Sequence, residues 1–206
     1  MNQSDSRPEA AAPAELFSPM RWREDGVLEL LDQTRLPAEE VWLDCRQPED
    51  VAGAIRRLSI RGAPAIGVAA AYGLVLGVGE APAGESAEVL RERFDGVMAL
   101  LGAIRPTAIN LVWALERGWK VFEETVVGSE DDPGAAAYRA LFAWAKRVHA
   151  DDVATNRWIG EHGAVLFATG DRVLTHCNTG ALATASYGTA LGVIQSSWRA
   201  GKVEMV

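Results

Sequence analysis

The spacing of apolar residues changes period several times along this chain, and each change predicts an element. Arg21–Leu31 and Glu40–Cys45 alternate imperfectly between apolar and polar positions. Between them Asp32-Gln33-Thr34-Arg35-Leu36-Pro37 reads as a turn, so a small β-hairpin or meander is expected. From Pro48 the period turns helical: Val51, Ala54, Ile55 and Leu58 recur every three or four residues, with Arg56 and Arg57 outward. Ala63–Gly79 is apolar nearly throughout, yet it falls short of the ~20 residues a membrane span requires. It reads as a buried core helix, and no membrane partner is expected. Ala83–Glu85 reads as a loop and Ala87–Ala103 as an amphipathic helix. After Arg105-Pro106-Thr107, with the proline at a helix start, Ile109, Val112, Trp113, Leu115, Trp119 and Phe122 stand at helical spacing. Gly128–Gly134 is an acidic loop, and Ala135–His149 opens a helix expected to continue through Trp158 to Gly163. Arg172–Thr175 then reads as a strand, a helix is expected from Ala185, and Val203–Val206 begins another strand.

Helices from 48 to about 165, followed by strand–helix–strand, predict a two-part α/β fold. A small N-terminal β element plus a helical domain occupies 20–165. The beginning of a Rossmann-like parallel α/β domain occupies 166–206 and is expected to be incomplete. Met1–Pro19, rich in Ala, Pro, Ser and acidic residues, lacks an apolar signal core and reads as a disordered tail.

Composition narrows the function. A hydrophobic share of 49% and a charged share of 23% are those of a globular protein. The net charge of −8, without a Lys/Arg cluster, argues against a nucleic-acid partner. An anionic small molecule needs only one or two local arginines and stays open. Two cysteines make no disulfide framework, and with no signal peptide a reducing cytosol is the expected home. His149, His162 and His176 lack ligand spacing, so no metal site is expected and each histidine reads as a surface or capping residue. The seven tryptophans read as core or interface residues.

The candidate chemistry gathers at His176-Cys177-Asn178-Thr179-Gly180, a thiol, an amide and a glycine turn at the expected carboxyl end of a strand. Open α/β sheets place ligands there. Cys177 is either a small buried hydrophobe or an acid, base or nucleophile, and the flanking Asn178 and Gly180 favour the second. His176 would point to the opposite face of a strand, which disfavours a Cys–His dyad. Arg61 and Arg105 each precede a proline expected at a helix start. A guanidinium beside free helix N-terminal amides suits a phosphate, so the two are expected to converge on one anion. Gly62 would let the backbone approach it.

Four strings together closely resemble the methylthioribose-1-phosphate isomerase family: Asp32–Pro37, Ile60-Arg61-Gly62-Ala63-Pro64-Ala65-Ile66-Gly67, Arg105-Pro106-Thr107-Ala108-Ile109-Asn110-Leu111 and His176–Gly180. The resemblance implies an aldose–ketose isomerase of methionine salvage, without cofactor, in the cytoplasm and homodimeric when whole. It implies a sugar-phosphate substrate held by Arg61, Gly62, Ala63 and Arg105, with Cys177 at the reacting carbons. Family members are longer, and their catalytic aspartate falls in the part absent here. The 206-residue chain is therefore expected to be a partial, inactive one. Two alternatives stay open: an isomerase of another pentose 1-phosphate such as ribose 1,5-bisphosphate, and a non-catalytic regulatory subunit of the same fold.

Overall fold

The imperfect alternation of residues 20–45 resolves into an antiparallel meander of β1 (Met20–Trp22), β2 (Leu28–Leu31) and β3 (Trp42–Cys45), in that order across the sheet. The structure is a computed structural model and describes residues 17–79, 84–105, 107–129 and 132–206. Every residue of the central strand β2 is buried, including Glu29, which pairs with Arg21 and Arg23. The hydrogen bond from Arg21 holds that carboxyl below its usual range. Residues 1–16 of the expected tail lie outside the described residues, whereas Phe17–Pro19 are tied into the fold. The Ser186 hydroxyl donates to the Phe17 carbonyl at 2.6 Å, and the Leu31 N–H donates to that of Pro19 at 2.9 Å.

Helix α1 (Pro48–Arg56) opens where its caps allow, since the Asp50 carboxylate accepts the Arg46 and Gln47 N–H groups at 2.9 and 3.2 Å. Val51, Ala54 and Ile55 are buried as their spacing requires. Leu58 is not on that face. It lies beyond the helix end, exposed and in the left-handed region at φ 63°.

Helix α2 (Ala63–Gly79) is apolar all round and buried on every side, the core around which α3 (Ala87–Gly102), α4 (Ile109–Val127) and α5 (Pro133–Ala164) assemble. Gly118 of α4 sets the closest approach to α2, because a methyl group there would stand 2.2 Å from Leu74 Cδ1. Phe94 of α3 stacks on Phe122 of α4 with ring centroids 3.9 Å apart. Asp132 caps α5 by accepting the Ala135 N–H at 3.0 Å, so the helix starts two residues before the expected Ala135.

Two expectations are corrected in this region, the buried face of α4 and the surface position of His149. The buried stripe of α4 is Leu111, Ala114, Leu115, Gly118, Phe122 and Val126. Ile109, Val112, Trp113 and Trp119 stand off that stripe and are exposed. Of the seven tryptophans Trp144 alone is buried. His149 is no surface cap either: it sits edge-on to Tyr72, whose hydroxyl lies 3.4 Å from its Nδ1, beside a Trp22–Tyr72 stack.

The C-terminal part is a parallel pair, β4 (Asp171–Arg172) and β5 (Val203–Met205), connected through a 3-10 turn (Ala181–Ala183) and α6 (Ala190–Arg199). Strand β4 is shorter than the expected Arg172–Thr175, although the Val173 N–H still reaches the Met205 carbonyl at 2.9 Å. Helix α6 begins five residues later than the expected Ala185. Two features hold the segment out of a helix: Tyr187 and Gly188 are both left-handed, and the Ala185 N–H is taken by the Asp152 carboxylate of α5. Gly160 and Gly163 of α5 leave room for Tyr187, Ser196 and Val193, which docks α6 on α5. No described helix is long and apolar enough to cross a membrane.

Candidate functional site

The first turn of α2 and the 3-10 turn are locked together. Gly62 is left-handed at φ 97°, and its carbonyl accepts the first helical hydrogen bond from Ile66 at 3.0 Å. Its Cα abuts Ala183 so closely that an added methyl would lie 2.6 Å from that residue's Cα and carbonyl oxygen. Buried Gln33 completes the junction: its Nε2 donates to the Leu182 carbonyl at 2.7 Å and its Oε1 accepts Arg61 Nε at 3.4 Å. Arg61 is exposed beside the first-turn amides of Ala63 and Ala65, which helical geometry leaves without intrahelical acceptors. A guanidinium, two free amides and the helix dipole are the kinds of group that attract an anion.

Cys177 stands on the neighbouring loop, exposed and left-handed at φ 70°. It is five residues past the end of β4, so the strand geometry that separated it from His176 does not apply. The loop closes on itself through the Thr189 N–H, which donates to the Thr179 carbonyl at 2.8 Å, and through a bridge between Gly180 and Gly188. The Asn178 Nδ2 is buried without a hydrogen-bond partner among the described residues. Buried amides are almost always paired, so this donor departs from the usual pattern. Cys45 differs on every count, being buried with its thiol pushed up to about 12 by that burial.

Arg105 is exposed, and Pro106 lies outside the described residues. The expectation of a proline-started helix is corrected here, since α4 begins only at Ile109 and the Arg105 carbonyl instead accepts the Ala108 N–H at 2.9 Å. The start of α4 nonetheless packs on the start of α2, because a methyl at Gly67 would lie 3.0 Å from the Asn110 carbonyl. A cavity of about 570 Å³ opens between these two helix starts and the middle of α5. Neither Arg61 nor Arg105 lines it, and Arg61 instead contacts Gln33.

Two residues that sequence reasoning did not single out for chemistry hold this region in place. Gln33 was legible only as part of a turn. Asp152 sits at the cavity wall, where its Oδ2 accepts the Ala185 N–H at 2.7 Å and Asn156 Nδ2 at 3.0 Å. Burial raises its carboxyl above the usual range. The four-residue spacing of Asp152 and Asn156 on α5 was the available signal.

Residues 59–206 match the family model described as the initiation factor 2 subunit family. A methylthioribose-1-phosphate isomerase from Koribacter versatilis is 48% identical over 89% of this chain and 50% of its own length. One of the same name from Alkalilimnicola ehrlichii is 51% identical over 86% of the chain and 48% of its own. Among solved structures, the 5-methylthioribose 1-phosphate isomerase of Pyrococcus horikoshii superposes with a TM-score of 0.83 at 32% identity, covering 93% of this chain and 52% of that one. The translation initiation factor eIF-2B subunit delta of A. fulgidus gives 0.78 at 36% identity, covering 91% and 53%. The chain thus spans about half the length of the curated relatives it matches.

Proposed function

The chain belongs to the initiation factor 2 subunit family, and we propose that within it the chain supplies the phosphate cradle and the reactive thiol of an aldose–ketose isomerase. The substrate is 5-methylthioribose 1-phosphate and the product 5-methylthioribulose 1-phosphate, in methionine salvage. The observation that carries this reading is the Gln33 bridge, which joins two of the four motif strings to Leu182, two residues past the end of a third. Isomerase names among relatives near 48% identity support it.

The chemistry follows from the substrate. A phosphate on the anomeric carbon prevents spontaneous ring opening, so a general acid must protonate the ring oxygen. Hydrogen then passes from C2 to C1. Arg61 and the Gly62–Ala63 backbone hold the phosphate, Arg105 reaches it from the start of α4, and Cys177 stands at the reacting carbons. Cytoplasmic location, assembly of the whole protein as a homodimer, and division of the chain near residue 165 belong to the same proposal and rest on the family resemblance.

Isothermal titration with 5-methylthioribose 1-phosphate, against 5-methylthioribose without phosphate, tests the reading. Binding should require the phosphate and weaken at least tenfold in Arg61→Ala, a loss of about 1.4 kcal/mol. Equal affinity for both compounds would overturn it. The second reading is a non-catalytic regulatory module, favoured by the likeness to an initiation-factor subunit. An exposed Cys177 beside an unpartnered amide favours the enzyme.

A further inference from the structure

Resting on that reading, we propose that Gln33 is a positioning residue, which aims the Arg61 guanidinium and ties it to the 3-10 turn that follows Cys177. Gln33 lies two residues past the end of β2 and is 6% exposed. Its backbone is fixed on both sides of the peptide: the Asp32 N–H donates to the Val41 carbonyl at 2.8 Å, and the Gln33 N–H to the Ser59 carbonyl at 3.0 Å. The side chain therefore leaves a held base. A carboxamide is planar, with a donor end and an acceptor end. The Leu182 carbonyl can only accept and the Arg61 Nε–H can only donate, so the two partners dictate which way the amide faces. The 2.7 Å bond from Nε2 to Leu182 sets the plane, and Oε1 is left toward Arg61 Nε at 3.4 Å.

Arg61 is exposed and makes no other hydrogen bond or ion pair among the described residues. A long side chain in that position samples many rotamers, and an anion that binds it must freeze them. Gln33 engages Nε alone and leaves both terminal nitrogens of the fork for an oxyanion, which a guanidinium grips through paired N–H groups. The junction itself is closed by the backbone contact of Gly62 with Ala183, so orientation of Arg61 is what the Oε1 contact adds. Leu182 lies in the 3-10 turn, five residues after Cys177, so one amide references the cation to the segment that carries the thiol.

The experiment is a double-mutant cycle: calorimetric binding of 5-methylthioribose 1-phosphate to the full chain, to Gln33→Met, to Arg61→Ala and to the double variant, with thermal denaturation of each. Methionine keeps the length of glutamine and removes both hydrogen bonds. Gln33→Met should weaken binding about fivefold, the cost of freezing one rotamer-rich side chain, and should have no effect on affinity once Arg61 is alanine. Its effect on the melting temperature should persist in both backgrounds. A loss of affinity of equal size in both backgrounds overturns the proposal in favour of a purely structural amide. Unchanged affinity in Gln33→Met, where Arg61→Ala does weaken binding, overturns the proposal and leaves the phosphate reading standing. Absent binding by the parent chain, or unchanged binding in Arg61→Ala, overturns the phosphate reading and the positioning role with it. A measurement on the parent chain is independent of how any variant folds. NMR relaxation should show Arg61 Nε more ordered than the Nε of exposed Arg157, and equal disorder of the two overturns the proposal.

Discussion

Gly62 and Ala183 are in backbone contact across 121 positions of sequence, with room for nothing larger than hydrogen at Gly62. That contact couples the N-terminus of the buried helix to the loop carrying Cys177. It also explains why a glycine follows Arg61: the residue is left-handed and meets another chain segment at its α-carbon.

Gly62→Ala should therefore destabilise the protein by about 2–4 kcal/mol, from a left-handed alanine plus overpacking. Thermal denaturation measures it. Adding Ala183→Gly should not restore stability, since the Ala183 Cα and carbonyl oxygen, both 2.6 Å from the built methyl, remain in place. Full rescue would show that only the Ala183 methyl resists.

The chain's periodicity made α1 and α3 legible because each buries a regular set of side chains, and α2 was legible as an unbroken apolar run. It misplaced the apolar residues of α4 for a physical reason: Trp113 and Trp119 satisfy a helical spacing that runs beside the buried stripe, not along it. The late start of α6 was hidden because its cause, Asp152, lies 33 residues away on another helix. Cys177, Arg61 and Gly62 were legible as candidates from local chemistry. Gln33 was not, since a buried amide that bridges two distant segments leaves no periodic trace.

The two cysteines should separate sharply toward a thiol reagent such as DTNB under native conditions. Cys177 is exposed and should react at once. Cys45 is buried, with its thiol pushed up to about 12, and should react only through opening of the fold, on the order of a thousandfold more slowly. Two equivalents released together in native buffer would contradict this assignment, and a Cys177→Ser variant identifies the fast site.

His149 should contribute a pH dependence on the acid side. Burial beside Tyr72 pushes its imidazole below the ordinary value of 6.5, so the folded protein holds it neutral while the unfolded chain takes up a proton. Its contribution is complete above about 6.5 and is lost as pH falls through the lowered folded value. Denaturant midpoints between pH 7.5 and 5 should decline, and His149→Phe should flatten that slope. An unchanged slope in the variant would assign the acid sensitivity to other groups.

Asp152 gives the last test, because its carboxylate does two opposing things. Its Oδ2 is the acceptor that stops Ala185 from starting a helix and anchors the loop after Cys177 to α5. Burial simultaneously penalises its charge and raises its pKa. A raised acid pKa means the folded state binds the proton more tightly, so this group's contribution falls as pH rises from the ordinary value of 3.8 through the folded one. Asp152→Asn keeps an oxygen acceptor for the Ala185 N–H without the buried charge, and should stay within about 1 kcal/mol of the parent at pH 7. Asp152→Ala strands the Ala185 N–H, while Asn156 keeps its bond to the backbone carbonyl of residue 152, and should cost about 1–3 kcal/mol. Amide hydrogen exchange localises the effect: in Asp152→Ala, Ala185 should lose its protection while α2 keeps its own. If the asparagine and alanine variants are equally destabilised, the charge itself and not the hydrogen-bond acceptor anchors the loop.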